Sequence, residues 1–108
     1  MVKSETLDDV FAALSDPTRR AIVSRLARGE ATVGELAAPF PMSLPAVSKH
    51  LGVLERAGLV HRERRGRSQY CRLSPRNLSA AAGWLDRHRR FWTTQLAALA
   101  EHVREEKP

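Results

Sequence analysis

Basic side chains are concentrated in one short stretch of this 108-residue chain, and they are its first candidates for chemistry. Residues 61–72 contain five arginines and one glutamate, so this stretch carries +4 of the formal net charge of +6. A polyanion is the partner that such a patch attracts. A solvated surface loop is the alternative interpretation. The arginines are Arg62, Arg64, Arg65, Arg67 and Arg72.

A second group of polar side chains lies just before the basic stretch, in a segment with helical spacing. Val47, Leu51 and Leu54 recur at i, i+4 and i+7 and share one face of a predicted helix that Ser43 caps. The N-terminal part of a recognition helix reads base edges in the major groove, and small or hydrogen-bonding side chains suit that task. An amphipathic helix with its polar face in water is the alternative. The candidate DNA-binding residues here are Ser43, Pro45, Ala46, Ser48, Lys49 and His50.

The arginine-rich stretch has the pattern of a β-hairpin. Residues 59–65 have strand character, Gly66-Arg67 forms a turn, and residues 68–73 run back. Arginines on a hairpin lie along phosphates or enter a narrow minor groove. Alternation along the return strand predicts that Cys71 is a small, partly buried residue. We call this hairpin the wing, and its candidate DNA-binding residues are Arg62, Arg64, Arg65, Arg67 and Gln69.

Five helices and this hairpin account for the chain, which predicts a mainly α fold with a small β-hairpin in one domain over residues 1–108. The order of elements, four helices, the hairpin and a fifth helix, is typical of a winged helix-turn-helix. The helix-turn-helix covers about residues 33–57 and the wing about residues 59–73. The first and fifth helices are expected over about residues 6–14 and 75–103.

The first and fifth helices present more apolar surface than a domain of this size leaves in water. Leucine or tryptophan recurs every seven residues along the fifth helix, at Leu78, Leu85, Trp92 and Leu99. We therefore expect these helices to meet a second copy of the chain across a two-fold axis. The predicted dimer interface consists of Leu7, Val10, Phe11, Leu85, Trp92, Leu96 and Leu99.

The sequence lacks the residues that several functional classes of protein require. No apolar run approaches the ~20 residues that span a bilayer, and the N-terminus lacks the apolar core of a signal peptide, so a cytoplasmic location is expected. A single cysteine forms neither an internal disulfide nor, alone, a thiolate metal site. No glycine-rich phosphate loop, paired-carboxylate motif or metalloprotease motif is present, and Ser48 and His50 do not face each other on a helix. We expect no enzymatic activity and no cofactor.

Two stretches of the sequence carry specific motifs, Leu14-Ser15-Asp16-Pro17-Thr18-Arg19-Arg20-Ala21-Ile22-Val23 and Ser43-x-Pro45-x-Val47-Ser48-x-His50-Leu51-x-x-Leu54-x-x-Ala57-Gly58-Leu59-Val60. Together they resemble the arsenic-repressor (ArsR/SmtB) family. The resemblance spans nearly the whole chain and implies a dimeric winged helix in which the fourth helix reads DNA. It is closest to the branch that has Phe91-Trp92 in the fifth helix and lacks the usual metal ligands. Such regulators often repress their own operon, so the resemblance implies a repressor of transcription. Two recognition helices related by the two-fold axis of a homodimer should enter successive major grooves, which predicts an inverted repeat in double-stranded DNA as the operator.

The family's metal sites are matched poorly. The thiol site would fall on Thr32 and Gly34, which do not bind a soft metal. The family's site on the fifth helix is shared across the dimer and takes an Asp-x-His and a His-x-x-Glu pair, with ten residues between the histidines. Thirteen residues intervene here, which moves the second pair by ~4.5 Å along the helix, beyond what zinc coordination tolerates. The metal candidates that remain as an alternative are Asp86, His88, His102 and Glu105.

Two other functions therefore stay open beside the DNA-binding repressor. One is a metal-responsive repressor that uses ligands of the fifth helix. The other is a winged-helix module that binds a protein, although such a module does not need four arginines around one turn. No residue pattern indicates a particular small-molecule effector.

Overall fold

The computed structural model describes residues 4–106, with side chains described for residues 6–105. This range contains five helices and three strands. The mainly α fold with a small hairpin is confirmed. No helix in the described range is long and apolar enough to span a membrane. In chain order the elements are α1 (Ser4–Ala13), α2 (Pro17–Leu26), β1 (Ala31–Thr32), α3 (Val33–Ala37), α4 (Leu44–Arg56), β2 (Val60–Arg65), β3 (Ser68–Leu73) and α5 (Pro75–Glu106).

Three features differ from the expectations. Helix α1 already includes Ser4, and α5 continues to Glu106, three residues past its expected end. The hairpin is part of a three-stranded antiparallel sheet in the order β1-β3-β2, in which Ala31 pairs with Cys71. Strand β1 has only two residues, which is too short to show the alternation by which a strand is recognised in a sequence.

One face of α4 fixes the helix to the core. Val47, Leu51 and Leu54 are fully buried. The N-terminus of α4 is capped by Ser43, whose hydroxyl accepts a hydrogen bond from the amide of Ala46 at 3.3 Å. The outer side of the N-terminal half of α4, which carries Pro45 and Lys49, is therefore held in a fixed orientation while it stays exposed.

The C-terminus of α4 is closed by Gly58 in the left-handed conformation, with φ of 73°. The side-chain amide of Asn77, on α5, donates to the carbonyl of Ala57 at 3.0 Å. This contact satisfies a carbonyl at the helix end and attaches α5 to α4.

The junction between α1 and α2 is formed by the stretch Asp16-Pro17-Thr18-Arg19-Arg20, whose charged side chains make hydrogen bonds at the two helix ends. Asp16 caps α2 and accepts from the amide of Arg19 at 3.0 Å, a bond that lowers the pKa of Asp16 below its ordinary value. The Arg19 guanidinium donates to the carbonyls of Ala13 and Ala12 at 2.5 and 3.2 Å. Arg20 donates to the carbonyl of Leu14 at 2.8 Å. These arginines donate to carbonyls at the end of α1 and just after it, where a helix has acceptors left over.

Candidate nucleic-acid interface

The outer face of α4 is the part of this helix that is open to a ligand. Lys49 is exposed and has no hydrogen bond or ion pair to any residue that the structure describes. Pro45 is also exposed, Ala46 is half-buried, and Leu44, which was not among the predicted residues, is 56% exposed. The free ammonium of Lys49 is available to a phosphate or to a guanine edge.

Arg62 does not extend toward solvent, contrary to the expectation from the sequence. Its guanidinium donates to the Ser48 hydroxyl at 2.8 Å and, through Nε, to the Glu55 carboxylate at 3.0 Å. Both partners lie on α4, and the Arg62 side chain is only 18% exposed. Arg62 and Ser48 therefore connect the wing to α4, and the Arg62 guanidinium is occupied by protein groups.

His50 is likewise turned toward the protein. Its Nδ1 lies 3.3 Å from the Arg19 guanidinium and 3.9 Å from the Asp16 carboxylate. These two residues form the junction between α1 and α2, so His50 holds α4 against that junction. His50 is thus better described as a residue that positions α4 than as one that reads bases.

Strand alternation divides the wing arginines between two faces. Arg62 points toward α4, and Arg64, two residues along β2, shares its face with its cross-strand neighbour Gln69. Arg64 donates only to the carbonyl of Gly66, at 3.3 Å. Arg67, in the turn, is exposed and makes no hydrogen bond or ion pair within the described chain. Arg64, Arg67 and Gln69 are thus the wing residues that remain available on the α4 side and at the tip.

Arg65 lies on the opposite face and is occupied by protein groups. It forms a two-point ion pair with the carboxylate of Glu30, at 2.8 and 2.9 Å, and contacts Glu63 at 3.3 Å. Its guanidinium also stacks over the ring of Tyr70, 4.7 Å from the centroid. The hydrogen bonds from Arg65 lower the pKa of Glu30, and the same contacts raise the pKa of Arg65. Glu30 was missed because it lies 35 residues away in sequence and belongs to no recognisable motif.

The structure brings α3, α4 and the wing tip together around one groove, which we call the α4–wing groove. It contains four of the predicted DNA-binding residues and adds five that no sequence pattern indicated. Its lining combines the Arg67 cation with hydroxyl, amide and small apolar groups, so it offers one charge together with neutral hydrogen-bonding and apolar contacts. The lining residues are Thr32, Val33, Gly34, Leu44, Pro45, Ser48, Arg67, Ser68 and Gln69.

Apolar side chains also lie exposed on α1 and α5. Four predicted interface residues of α5, Leu85, Trp92, Leu96 and Leu99, are 48–65% exposed, and Phe11 of α1 is 37% exposed. Leu7 is half-buried against the core.

The prediction that Val10 lies in the dimer interface is wrong. It is fully buried within the protomer, because the face of α1 that carries it packs into the core. Phe91 and Val103, at 54% and 49% exposure, extend the exposed apolar surface in its place.

The metal candidates are engaged in other contacts where the structure describes them. Asp86 lies 3.8 Å from Arg89, and His88 stacks on Trp84 with its Nδ1 2.8 Å from that residue's carbonyl oxygen. Among residues 4–106, no group of three or more histidine, cysteine, aspartate or glutamate side chains is arranged to hold a metal ion. Glu105 is exposed near the end of α5.

Cys71 is fully buried rather than partly buried, and desolvation raises the pKa of its thiol. Both burial and the raised pKa disfavour the reactive thiolate. The inward-facing position that alternation predicted for this residue explains its burial.

Known transcriptional regulators are similar to this chain in sequence. A family model described as a helix-turn-helix domain matches residues 14–63. The HTH-type transcriptional regulator Rv2034 of Mycobacterium tuberculosis is 46% identical over 99 residues, 92% of this chain and 90% of that protein. The transcriptional repressor SdpR of Bacillus subtilis is 37% identical over 79 residues, 73% of this chain and 88% of that protein.

Solved structures agree with these relatives. The crystal structure of the ArsR family transcriptional regulator RHA00566 superimposes with a TM-score of 0.77 at 41% identity, covering 85% of this chain and 95% of that one. The solution structure of the homodimeric winged helix-turn-helix DNA-binding domain Mb0332 from Mycobacterium bovis gives a TM-score of 0.63 at 30% identity, covering 96% and 87%. This chain therefore belongs to the ArsR family of winged helix-turn-helix transcriptional regulators.

Proposed function

We propose that this protein is a homodimeric repressor that acts in the bacterial cytoplasm, binds an inverted repeat in double-stranded DNA and has no catalytic turnover. The observation that carries the proposal is the α4–wing groove, in which the exposed start of α4 faces the tip of a basic hairpin. A helix in a major groove and a hairpin along the adjacent backbone require this juxtaposition.

The α4 side of the groove supports base reading. The N-terminal half of α4 exposes Leu44, Pro45 and Lys49, while the opposite face of the helix is fixed in the core. Leu44 and Pro45 offer apolar contact to thymine methyl groups. Lys49 offers a cation without any competing carboxylate in the described chain. Sequence preference would therefore come from a few side chains in the first turns of α4.

The wing supports sequence-independent affinity. Arg64 and Arg67 have no carboxylate partner among the described residues, and they lie beside or at the turn of the hairpin. Each would neutralise one phosphate and release its condensed counterions. Gln69, which pairs with Arg64 across the strands, supplies a neutral hydrogen-bonding group next to them.

The apolar surface of α5 supports the homodimer. At 100° per residue, Leu85, Trp92, Leu96, Leu99 and Val103 fall within about 60° of the helix circumference. Trp84, His88 and Phe91 extend this sector to about 140°, and the whole set is called the α5 apolar arc below.

The width of the α5 apolar arc indicates how the two copies pack. A contact between only two helices covers a narrower sector of each helix than this arc. Phe11 of α1 meets Trp84 edge-on with ring centroids 6.0 Å apart, so one part of the arc is covered within the protomer. The rest is suited to a partner's α1 and α5 in a four-helix arrangement, and the homodimeric state of Mb0332 agrees with this.

A two-fold dimer presents two copies of α4 to successive major grooves, ~34–36 Å apart, and this spacing requires an inverted repeat. A dimer bound across a promoter blocks access of the polymerase. The resemblance to the repressor SdpR supports repression as the outcome of binding.

The decisive experiment measures duplex binding by fluorescence anisotropy, with the region upstream of the protein's own gene and a shuffled duplex of equal length. We expect the dimer to prefer the upstream region, and Lys49→Glu to abolish binding through charge repulsion against phosphates. The matched control is Arg90→Glu, which makes the same change of charge on α5 at a residue outside the apolar arc. If the wild type binds neither duplex, or if Lys49→Glu binds as tightly as Arg90→Glu, the proposed function is wrong.

A further inference from the structure

We propose that the ion pair with Glu30 keeps Arg65 from binding DNA phosphates and thereby limits the sequence-independent affinity of the wing for DNA. The inference rests on the proposed function and concerns how the affinity of the same surface is set. Its basis is the ion pair between these two residues, which joins the connection before β1 to the end of β2.

The contact is a matched pair of hydrogen bonds. Nη1 and Nη2 of Arg65 donate to the two carboxylate oxygens of Glu30 at 2.8 and 2.9 Å. This is the geometry in which a guanidinium also binds two oxygens of a phosphate. A phosphate and the Glu30 carboxylate would therefore compete for the same pair of donors.

Two further groups hold Arg65 back from the wing tip. Glu63 accepts from Nη2 at 3.3 Å, and the ring of Tyr70 lies under the guanidinium. Tyr70 belongs to the central strand β3, so the Arg65 side chain crosses the sheet toward the body of the protein. The conformation that pairs with Glu30 thus carries the charge away from the turn at Gly66-Arg67.

The contacts of the other wing arginines show how many positive charges of the wing are left without a carboxylate partner. Arg62 is paired with Glu55, and Arg72 lies 3.5 Å from Glu63. Only Arg64 and Arg67 have no carboxylate partner in the described part of the chain. Two of the five wing arginines therefore have no carboxylate partner among the described residues. Arg65 would become available as a third once its two short bonds to Glu30 are removed, because the single contact to Glu63 that remains is longer.

The pair is open enough to be exchanged. Arg65 and Glu30 are 45% and 35% exposed, and an ion pair at such exposure is weakened by solvent and salt. Removal of the Glu30 charge should therefore release Arg65 without unfolding the sheet, whose strand pairing does not involve either side chain.

The test compares wild type with Glu30→Gln on a random duplex over a salt series. We expect Glu30→Gln to bind more tightly and its log-affinity against log-salt slope to become steeper by about one unit. One added phosphate contact of this kind makes the gain about 3.5-fold larger at 50 mM than at 200 mM salt. Thermal unfolding of both proteins checks that the wing and body remain folded.

Two controls separate the release of Arg65 from other effects. Glu30→Gln in an Arg65→Gln background should give no gain, since the cation that it would release is absent. Glu63→Gln in an Arg72→Gln background should give a smaller gain than Glu30→Gln, because Glu63 makes one longer contact to Arg65 instead of two short ones. The Arg72 replacement is needed because Glu63 also contacts Arg72.

The outcomes distinguish this inference from the proposed function. An equal gain in the Arg65→Gln background would assign the effect to the removal of repulsion between Glu30 and DNA, and would overturn the proposal. Weaker binding of Glu30→Gln would mean that the pair positions the wing, and would overturn it as well. A wild type that binds DNA specifically while Glu30→Gln leaves affinity and slope unchanged would refute the inference alone. A wild type that binds no duplex would refute the proposed function and the inference together.

Discussion

Arg64 and Arg67 are the wing residues from which we expect the largest salt-dependent contribution to binding. Replacement of both by alanine should weaken binding to operator and random duplexes by the same factor, because phosphate contacts carry no sequence information. The salt slope should become shallower by about two units, one for each phosphate that is no longer neutralised. Anisotropy titrations at four salt concentrations measure this slope. An unchanged slope would show that the wing does not touch the backbone.

Arg62→Ala serves as the contrast for that experiment. Arg62 is bound to Ser48 and Glu55, so its removal should lower the melting temperature and leave the Glu55 carboxylate without its partner. We expect little change in the salt slope, since Arg62 is not available to a phosphate. A change of slope as large as that caused by replacement of Arg64 or Arg67 would contradict this assignment.

His50 should affect DNA binding through the position of α4. His50→Ala removes the contact with Arg19 and should cost about 1 kcal/mol of folding free energy, a typical value for one hydrogen bond. Operator affinity should fall, while the preference at each base pair of the half-site stays the same. Denaturant unfolding and affinities for single-base operator variants measure the two effects. Relaxed preference at one base pair would return His50 to the base-reading residues.

Residue types and spacing predict which side chains belong to the interface region, but not which of them are occupied by protein partners. Ser43, Lys49 and Arg67 could be placed from helix capping and from the hairpin turn, which are local features. The pairs Arg65–Glu30 and Arg19–His50 join residues 35 and 31 positions apart, and their formation depends on how the elements pack. This is why Arg62, Arg65 and His50 were expected to be available to DNA.

Gly58 sets the end of α4, and its replacement tests how that end is built. A Cβ at this position would lie 2.3 Å from the side-chain amide nitrogen of Asn77, in addition to the strain of a positive φ. We expect Gly58→Ala to lower the free energy of unfolding by about 2–3 kcal/mol, since strain alone costs about 1–2 kcal/mol. Chemical denaturation of the purified dimer measures this decrease.

Gly66 provides a matched control for Gly58. It also has a positive φ, of 61°, but a Cβ there would meet nothing within 4 Å. Gly66→Ala should therefore show only the conformational cost of about 1–2 kcal/mol. Equal decreases for the two variants would mean that the contact with Asn77 contributes nothing at the end of α4.

The elements themselves were largely predictable because their ends carry local signals. The capping box of Thr32 and Glu35 is present, with hydrogen bonds of 2.9 and 3.1 Å, and Pro17 and Pro75 stand at the starts of α2 and α5. Strand β1 was not predictable, because its two residues show no alternation of their own and are defined as a strand only by their pairing with β3. Its place next to β3 is a tertiary property, as is the resulting proximity of Glu30 to the wing.

At the scale of the whole molecule, we expect DNA binding to be independent of metal. Thirteen residues separate His88 from His102 instead of the ten that the family site takes, so the second ligand pair is displaced by ~4.5 Å along the helix, whether the ligands come from one protomer or from two. Addition of zinc or arsenite, or of a chelator, should leave operator affinity within error of the untreated protein. Tight zinc binding in calorimetry that disappears in His88→Ala, together with zinc-dependent release of DNA, would restore the metal-sensor alternative.

The last prediction links the dimer to DNA binding. Trp92 lies in the middle of the α5 apolar arc and is 50% exposed in the protomer, so burial against a second copy would make it an anchor of the interface. Trp92→Ala should cost at least about 2 kcal/mol for each tryptophan removed, and two-fold symmetry removes two at once. Analytical ultracentrifugation should then show a large rise in the dimer dissociation constant.

Operator affinity of Trp92→Ala should fall at low protein concentration and recover as the concentration is raised, because only the dimer engages both half-sites at the same time. Thr93→Ala is the matched control, since Thr93 is the next residue and lies outside the arc. A half-site duplex, which one protomer can occupy, should bind both variants with equal affinity. If Trp92→Ala weakens half-site binding as much as operator binding, the tryptophan acts on the fold of the protomer, and the assignment of this face to the dimer is wrong.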